Sequence, residues 1–423
     1  MAGTISNAKR NSFKVELLVV FAFLISLGFP GNYALVYGEQ VETVMAYAVF
    51  IAQILAMLLS SGNSWLDVQI INLDKKYTVI YLFAAVIFIE SMLVTRYKSL
   101  EFITCTRLVV TILFVIWLQN QFDLKRMMEL ICIAHVLFVL FNLIFAFQYP
   151  NMAFERETGA FLGMCITKNT CGIALAFGII FIRVLIWKKI KENEKCYWWT
   201  IIFVAEFFLL LMCQATGALV CTICVLVLFS VFERVRLPIG WMFIAGSILF
   251  LFLTLTLMPA FEWVFELLGK DATLTGRIPL WNQIIAVMTE HNTFTGFGYG
   301  MFWRDEKAVD LVHAAFIGEP FLGNMTSGAH NMLLEFWLNS GLIGLGMLFT
   351  SILYSARRAK ELPIEKYVFM GTVFAFIMIN GFTERSLGGN YDFRTMAFFL
   401  ALAMGCRHSG ELDETAGVKI VDN

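Results

Sequence analysis

Arg277, His330 and Glu335 have the types and spacing to handle developing negative charge and a moving proton. Arg277 lies in Thr275-Gly276-Arg277-Ile278-Pro279-Leu280-Trp281, and His330 opens His330-Asn331-Met332-Leu333-Leu334-Glu335. A guanidinium offers phosphate oxygens a planar two-pronged donor that a lysine ammonium does not copy. An imidazole at a helix N-terminus is disfavoured as imidazolium, because the backbone dipoles are positive there, and a neutral imidazole is a competent general base. Asn331, Glu335 and Asn339 recur at spacings of four and draw a polar stripe down one helix face. Glu335 is the rival base a turn further along, and Glu384 a more distant one. The plainer accounts are a helix-capping histidine and a solvated surface arginine.

Further cations flank the same apolar boundary: Arg156, Lys168, Arg304 and Arg385. Together they suit a phosphate or diphosphate head group on a lipid. Gly296-Phe297-Gly298-Tyr299-Gly300 can bring backbone amides to such a group, but no strand precedes it, so a tight turn is the stronger reading. Cys221-x-x-Cys224 sits inside an apolar run and reads as small buried hydrophobes rather than a metal or redox site. No metal site and no cofactor is expected.

The elements that must position these residues are membrane helices. The 423 residues are 59% hydrophobic and 15% charged, with mean hydropathy +0.75, whereas soluble proteins are about a quarter charged. A net charge of −1 argues against a nucleic-acid partner. Apolar spans near 15–36, 43–61, 77–94, 102–118, 127–148, 170–187, 198–213, 217–232, 239–258, 331–355, 366–383 and 393–406 give an all-α, polytopic fold of about 12 transmembrane helices. Three of these spans are short enough to be re-entrant. The chain divides into an N-terminal segment (1–14), a first helix bundle (15–258), a large loop (259–330), closing helices (331–406) and a polar tail (407–423). Within the loop, Thr275 to Met288 reads as an amphipathic helix with Thr275 as cap. That helix is expected to lie on the membrane surface and hold Arg277 at its edge.

Lys75-Lys76, Lys125-Arg126, Lys188-Lys189, Arg234 with Arg236, and Arg357-Arg358 fall in alternate loops. Positive loops stay inside, so both termini are cytoplasmic and the large loop faces out. Inside the spans, Arg107 either pairs with Glu90 or serves a substrate, and Glu206 has no evident partner.

At this point the sequence resembles the bacterial O-antigen ligases and the O-antigen or exopolysaccharide polymerases. The resemblance rests on Gly276-Arg277 with Trp281, the glycine-rich Gly296 to Gly300, His330-Asn331, and Gly341-Leu342-Ile343-Gly344. Arg156-Glu157-Thr158-Gly159, Lys168-Asn169 and Thr383-Glu384-Arg385 add to it, so that it spans Arg156 to the end. Thr216 stands where members often carry a cation, leaving that role to Arg156, Lys168 or Arg385.

The resemblance implies a GT-C-like, metal-independent glycosyltransferase of the bacterial inner membrane that uses undecaprenyl-diphosphate-linked sugars at the outer face. Catalysis is assigned to His330, Arg277 and Glu335, and substrate binding to Arg156, Lys168, Asn169, Arg385 and Asn331. The first choice is a polymerase joining lipid-linked oligosaccharide repeats into O-antigen, exopolysaccharide or capsule, partnered by a chain-length regulator or flippase. The alternative is a ligase moving polysaccharide onto a lipid A core. A transporter of lipid-linked sugars is the third class, disfavoured because no related halves are visible.

Overall fold

The structure is a computed structural model, and it describes residues 2–28, 36, 40–60, 74–260, 276–313, 328–387 and 392–406. The tail from 407 and Thr275 lie outside the described residues. The chain is all-α. Its only β pairing among the described residues is an isolated bridge between Phe154 and Phe161.

The bundle helices in order are α1 (Ala2–Ser26), α2 (Gln40–Ser60), α3 (Thr78–Val94), α4 (Lys98–Gln121), α5 (Leu124–Gln148), α6 (Lys168–Lys191), α7 (Tyr197–Met212), α8 (Thr216–Phe232) and α9 (Ile239–Ala260). Two loop helices follow, α10 (Arg277–Glu290) and α11 (Glu306–His313), and then α12 (Met332–Ala356), α13 (Ile364–Gly381) and α14 (Phe393–Gly405). Each apolar span expected from hydropathy corresponds to one of the bundle helices. Among the described residues, eight helices are long and apolar enough to cross a membrane, and α7, α8 and α14 are shorter apolar helices. The first helix begins well before residue 15 and stops at Ser26, so the polar N-terminal segment is helical rather than a separate element.

Local chemistry sets the helix starts. Asp123 accepts from Arg126 N at 2.7 Å ahead of α5, Thr167 from Thr170 N at 3.1 Å ahead of α6, and Asp392 from Arg394 N at 2.7 Å ahead of α14. A cap of this kind is worth about 1 kcal/mol. The core is aromatic where α3, α12 and α14 meet: Phe83 lies 6.1 Å from Phe336 and 5.5 Å from Phe399, centroid to centroid.

The basic loops gather at one end of the bundle. Lys189 reaches Glu129 at 2.8 Å, Lys188 reaches Glu192 at 2.9 Å, and Lys125 bridges Glu192 at 2.8 Å and also Glu194. Arg236 donates to Leu362 O at 2.8 Å. The loop helices α10 and α11 cap the opposite end.

The intramembrane charges resolve differently from the sequence expectation. Arg107 stacks over Tyr47 at 4.4 Å rather than pairing with Glu90, whose carboxylate has no hydrogen-bond partner among the described residues. Glu206 has no hydrogen-bond partner among the described residues either, but it does have a neighbour. A Cβ on Gly178 of α6 would stand 2.1 Å from Glu206 Oε2 and 2.5 Å from His135 Nδ1, so a carboxyl and an imidazole from α7 and α5 converge on that glycine.

Candidate active site

The helix that carries the polar stripe is broken inside. Gly341 adopts φ 56°, ψ −165°, which interrupts α12 two residues beyond Asn339 and six beyond Glu335 and strips its neighbours of their helical partners. The glycine-rich segment supplies replacements. Phe297 N donates to Leu338 O at 2.9 Å and Gly298 N to Asn339 O at 3.1 Å, while Leu342 N and Ile343 N donate to Thr293 O and Phe294 O at 3.0 and 3.1 Å. Gly300 N donates to Asn339 Oδ1 at 3.0 Å, and Tyr299 N to Ser91 Oγ at 2.9 Å. The amides of Phe297 to Gly300 are therefore committed to α12 and α3. The glycine pattern clamps a helix break and cradles no phosphate. Space demands the glycines as well as geometry: a Cβ on Gly296 would lie 2.7 Å from Gly341 N.

Above the break, the loop packs on protein rather than on lipid. The apolar face of α10, with Trp281, Ile284 and Met288, is buried against Ala329, Leu334 and Leu338. Trp281 Nε1 donates to Ala329 O at 2.8 Å. This corrects the expected membrane-surface helix. The apolar stripe serves a second small core, and periodicity alone cannot tell protein from lipid as the covering surface. Gly276, in the left-handed region at φ 78°, precedes the helix and delivers Arg277 as its first residue.

Arg277 and His330 meet at one carboxylate. Arg277 Nη2 donates to Glu384 Oε1 at 3.1 Å, and His330 Nδ1 stands 3.5 Å from Glu384 Oε2. All three side chains are largely but not wholly covered. Burial alone would raise the Glu384 pKa, but the His330 contact and the charges of Arg277, His330 and Arg394 outweigh it and hold the carboxyl below its ordinary range. Arg277 Nε is buried without a hydrogen-bond partner among the described residues, so half of its fork is unspent. A proton on Nδ1 facing Glu384 leaves His330 Nε2 as the acceptor.

The residues around this triad hold it in place. Asn331, not His330, caps α12: its Oδ1 accepts from Leu333 N and Leu334 N at 3.0 and 3.2 Å. Its Nδ2 donates to Phe382 O at 3.2 Å, tying α12 to the segment that carries Glu384. His330 itself sits at φ 49°, an uncommon conformation for a side chain with a Cβ. Glu335 is buried, and its Oε2 accepts from Ala329 N at 2.8 Å and Trp303 Nε1 at 3.0 Å. It thus anchors the residue immediately before His330.

A carboxylate used this way holds its neighbours in position. Glu335→Gln, which keeps a carbonyl oxygen as acceptor, is expected to retain most activity and an unchanged pH profile. Glu335→Leu orphans two donors at about 1–3 kcal/mol each and should lower thermal stability in detergent as well as turnover. A Gln variant that loses the acid limb of the pH profile would instead make Glu335 the base.

Of the other expected site residues, Arg156, Lys168 and Asn169 lie apart from the triad, whereas Arg385 directly follows Glu384. Arg156 and Asn169 are exposed, and Lys168 pairs with Glu155 at 2.9 Å. Their segment packs on the α7–α8 turn through Phe161 N to Met212 O at 2.9 Å, and that turn approaches the site, since a Cβ on Gly217 would lie 4.0 Å from Thr383 Oγ1. Arg385 is exposed and runs beside Gly328. Sequence reasoning missed Arg394, whose Nε donates to both Asp392 oxygens at 2.9 Å and whose charge acts on Glu384. Its only signal was an arginine two residues after an acidic cap.

Comparison with known proteins identifies the region that carries the loop and the broken helix. Residues 200–349 match the model of the O-antigen ligase family. The match contains Arg277, the glycine clamp, His330 and Glu335. It stops short of Glu384 and begins after Lys168. No curated protein matches the chain.

Proposed function

We propose, from the match of residues 200–349 to the O-antigen ligase family, that the chain is a polysaccharide polymerase of the bacterial cytoplasmic membrane. It joins undecaprenyl-diphosphate-linked oligosaccharide repeats at the outer face, without a metal, with both termini in the cytoplasm. The single observation that supports this most is Glu384 standing between Arg277 and His330. An acceptor sugar hydroxyl attacks the anomeric carbon of the donor as its proton passes to His330 Nε2. The bond to the diphosphate breaks with its electron pair on the leaving group, and Arg277 stabilises the charge that develops there. Glu384 keeps the imidazole oriented and its Nδ1 protonated. Arg156, Lys168, Asn169 and Arg385 form the outer approach for the head group and sugars.

A second reading, ligation of finished polysaccharide to a lipid A core, is favoured by the ligase description of the matching family. Purified protein in lipid, given a defined lipid-linked repeat with and without lipid A core, separates the two. Polymer from repeat alone supports the polymerase, a core-dependent product supports the ligase, and no product with either removes both.

Orientation has its own test. On a background lacking the accessible Cys196 and Cys224, a cysteine at Asp310 is expected to react with an impermeant maleimide in spheroplasts. A cysteine at Glu192 is expected to be spared until the membrane is opened. The reverse pattern would turn the site to the cytoplasm and sink an outer-face transferase.

A further inference from the structure

Where α5 and α7 pack on α6, the bundle encloses a carboxyl and an imidazole that the reaction proposed above does not use. Glu206 of α7 and His135 of α5 are almost completely buried, at 0% and 1% exposure. Both carboxyl oxygens and both ring nitrogens lack a hydrogen-bond partner among the described residues. The two heads are nonetheless aimed at one place. A Cβ on Gly178 of α6 would stand 2.1 Å from Glu206 Oε2 and 2.5 Å from His135 Nδ1, so both atoms border the space that a glycine leaves open. The imidazole is backed by the Phe177 ring, 5.7 Å away centroid to centroid, and Phe177 is itself packed on Phe181, Phe376 and Phe393. That aromatic wall leaves the ring little room to turn away from the carboxyl.

Left unpaired inside a bundle, a carboxyl and an imidazole each forfeit the hydrogen bonds they had in water, and a lone charge there is costlier still. One imidazole and one carboxyl are too few ligands for a metal ion. A water molecule suits them better, because it donates and accepts at once and is commonly held between buried polar groups that do not reach each other.

We propose that Glu206, His135 and Gly178 form an internal binding site for one water molecule, which joins the Glu206 carboxyl to His135 Nδ1 within the helix bundle. Glycine is required at 178 because a side chain would take the place of the ligand. The water is enclosed as the helices pack, so the folded protein needs no channel to fill the site. Its hydrogen bonds tie α5 to α7 across α6. The assignment is independent of the reaction and of the orientation proposed above.

The test is a cryo-EM map of the full-length protein in nanodiscs, at a resolution that shows ordered water, together with thermal unfolding of variants in detergent. Expected is a density peak within hydrogen-bonding distance of both the Glu206 carboxyl and His135 Nδ1, present in the wild type and lost in Gly178→Ala. Glu206→Gln still bonds a water and should melt close to wild type. Glu206→Leu and His135→Leu should each melt several degrees lower, and the double variant should recover most of that loss, since it leaves no polar group to satisfy. A direct carboxyl–imidazole hydrogen bond with no water density, or a double variant whose loss is the sum of the single ones, overturns the proposal. The wild-type map decides the matter even where an apolar variant fails to fold.

Discussion

His330→Gln protein is expected to fold, bind the lipid-linked donor, and turn it over about 10²–10⁴-fold more slowly, the usual worth of a positioned general base. The glutamine preserves polarity at a residue held at φ 49° but accepts no proton in the transition state. Glu384→Gln should fall in the same range, because the side chain keeps its shape while Arg277 and His330 lose the anion they share. The double variant should then cost little more than either single one, as residues acting as a unit do. Turnover against pH, with donor binding measured in parallel, checks the set. Near-normal rates in His330→Gln would leave the histidine a spacer between Trp281's acceptor at Ala329 and the cap at Asn331. Fully additive losses would separate Glu384 from it.

Arg277→Lys is expected to lose about 10²–10³ in rate, close to the loss for Arg277→Ala. Conserving the charge should rescue little. One prong of the guanidinium is held by Glu384, so the fork is aimed by the protein. A lysine ammonium reaching the same carboxylate would be a point charge with no second prong. Arg304→Ala is the control: its side chain is exposed, and the variant should stay within a few-fold of wild type. Single-turnover rates with saturating donor make the comparison. Full activity in Arg277→Ala at normal expression would remove it from the site.

The bundle was legible because a run of about 20 apolar residues in a chain this poor in charge has few alternatives to a membrane helix. Arg277 and His330 were legible for a related reason, since charge at such a boundary is costly unless used. What the residues could not announce was which surfaces meet. Glu384 arrives from the end of α13, far along the chain, and only the fold sets it between the two. Glu335 read as a base because a carboxylate one turn below a histidine looks available; that its Oε2 accepts from Trp303 and Ala329 could be seen only in the fold. The α10 stripe read as lipid-facing for want of any sign of the second small core. Gly341 gave the least warning, as a glycine inside an apolar helix predicts a small loss of helix propensity rather than a break.

That break has a consequence for how such a protein can change. A Cβ on Gly296 would press on Gly341 N, and a methyl group on Gly341 would stand 2.1 Å from Phe294 O. Neither position can take a side chain while the backbone facing it stays where it is. A chimaera that grafts a relative's outer segment onto this bundle must carry both halves of that contact, or the cap will have no seat. Substrate range can diversify on the rim of the cap, at α11 and the exposed loop residues, while the hinge beneath it stays fixed.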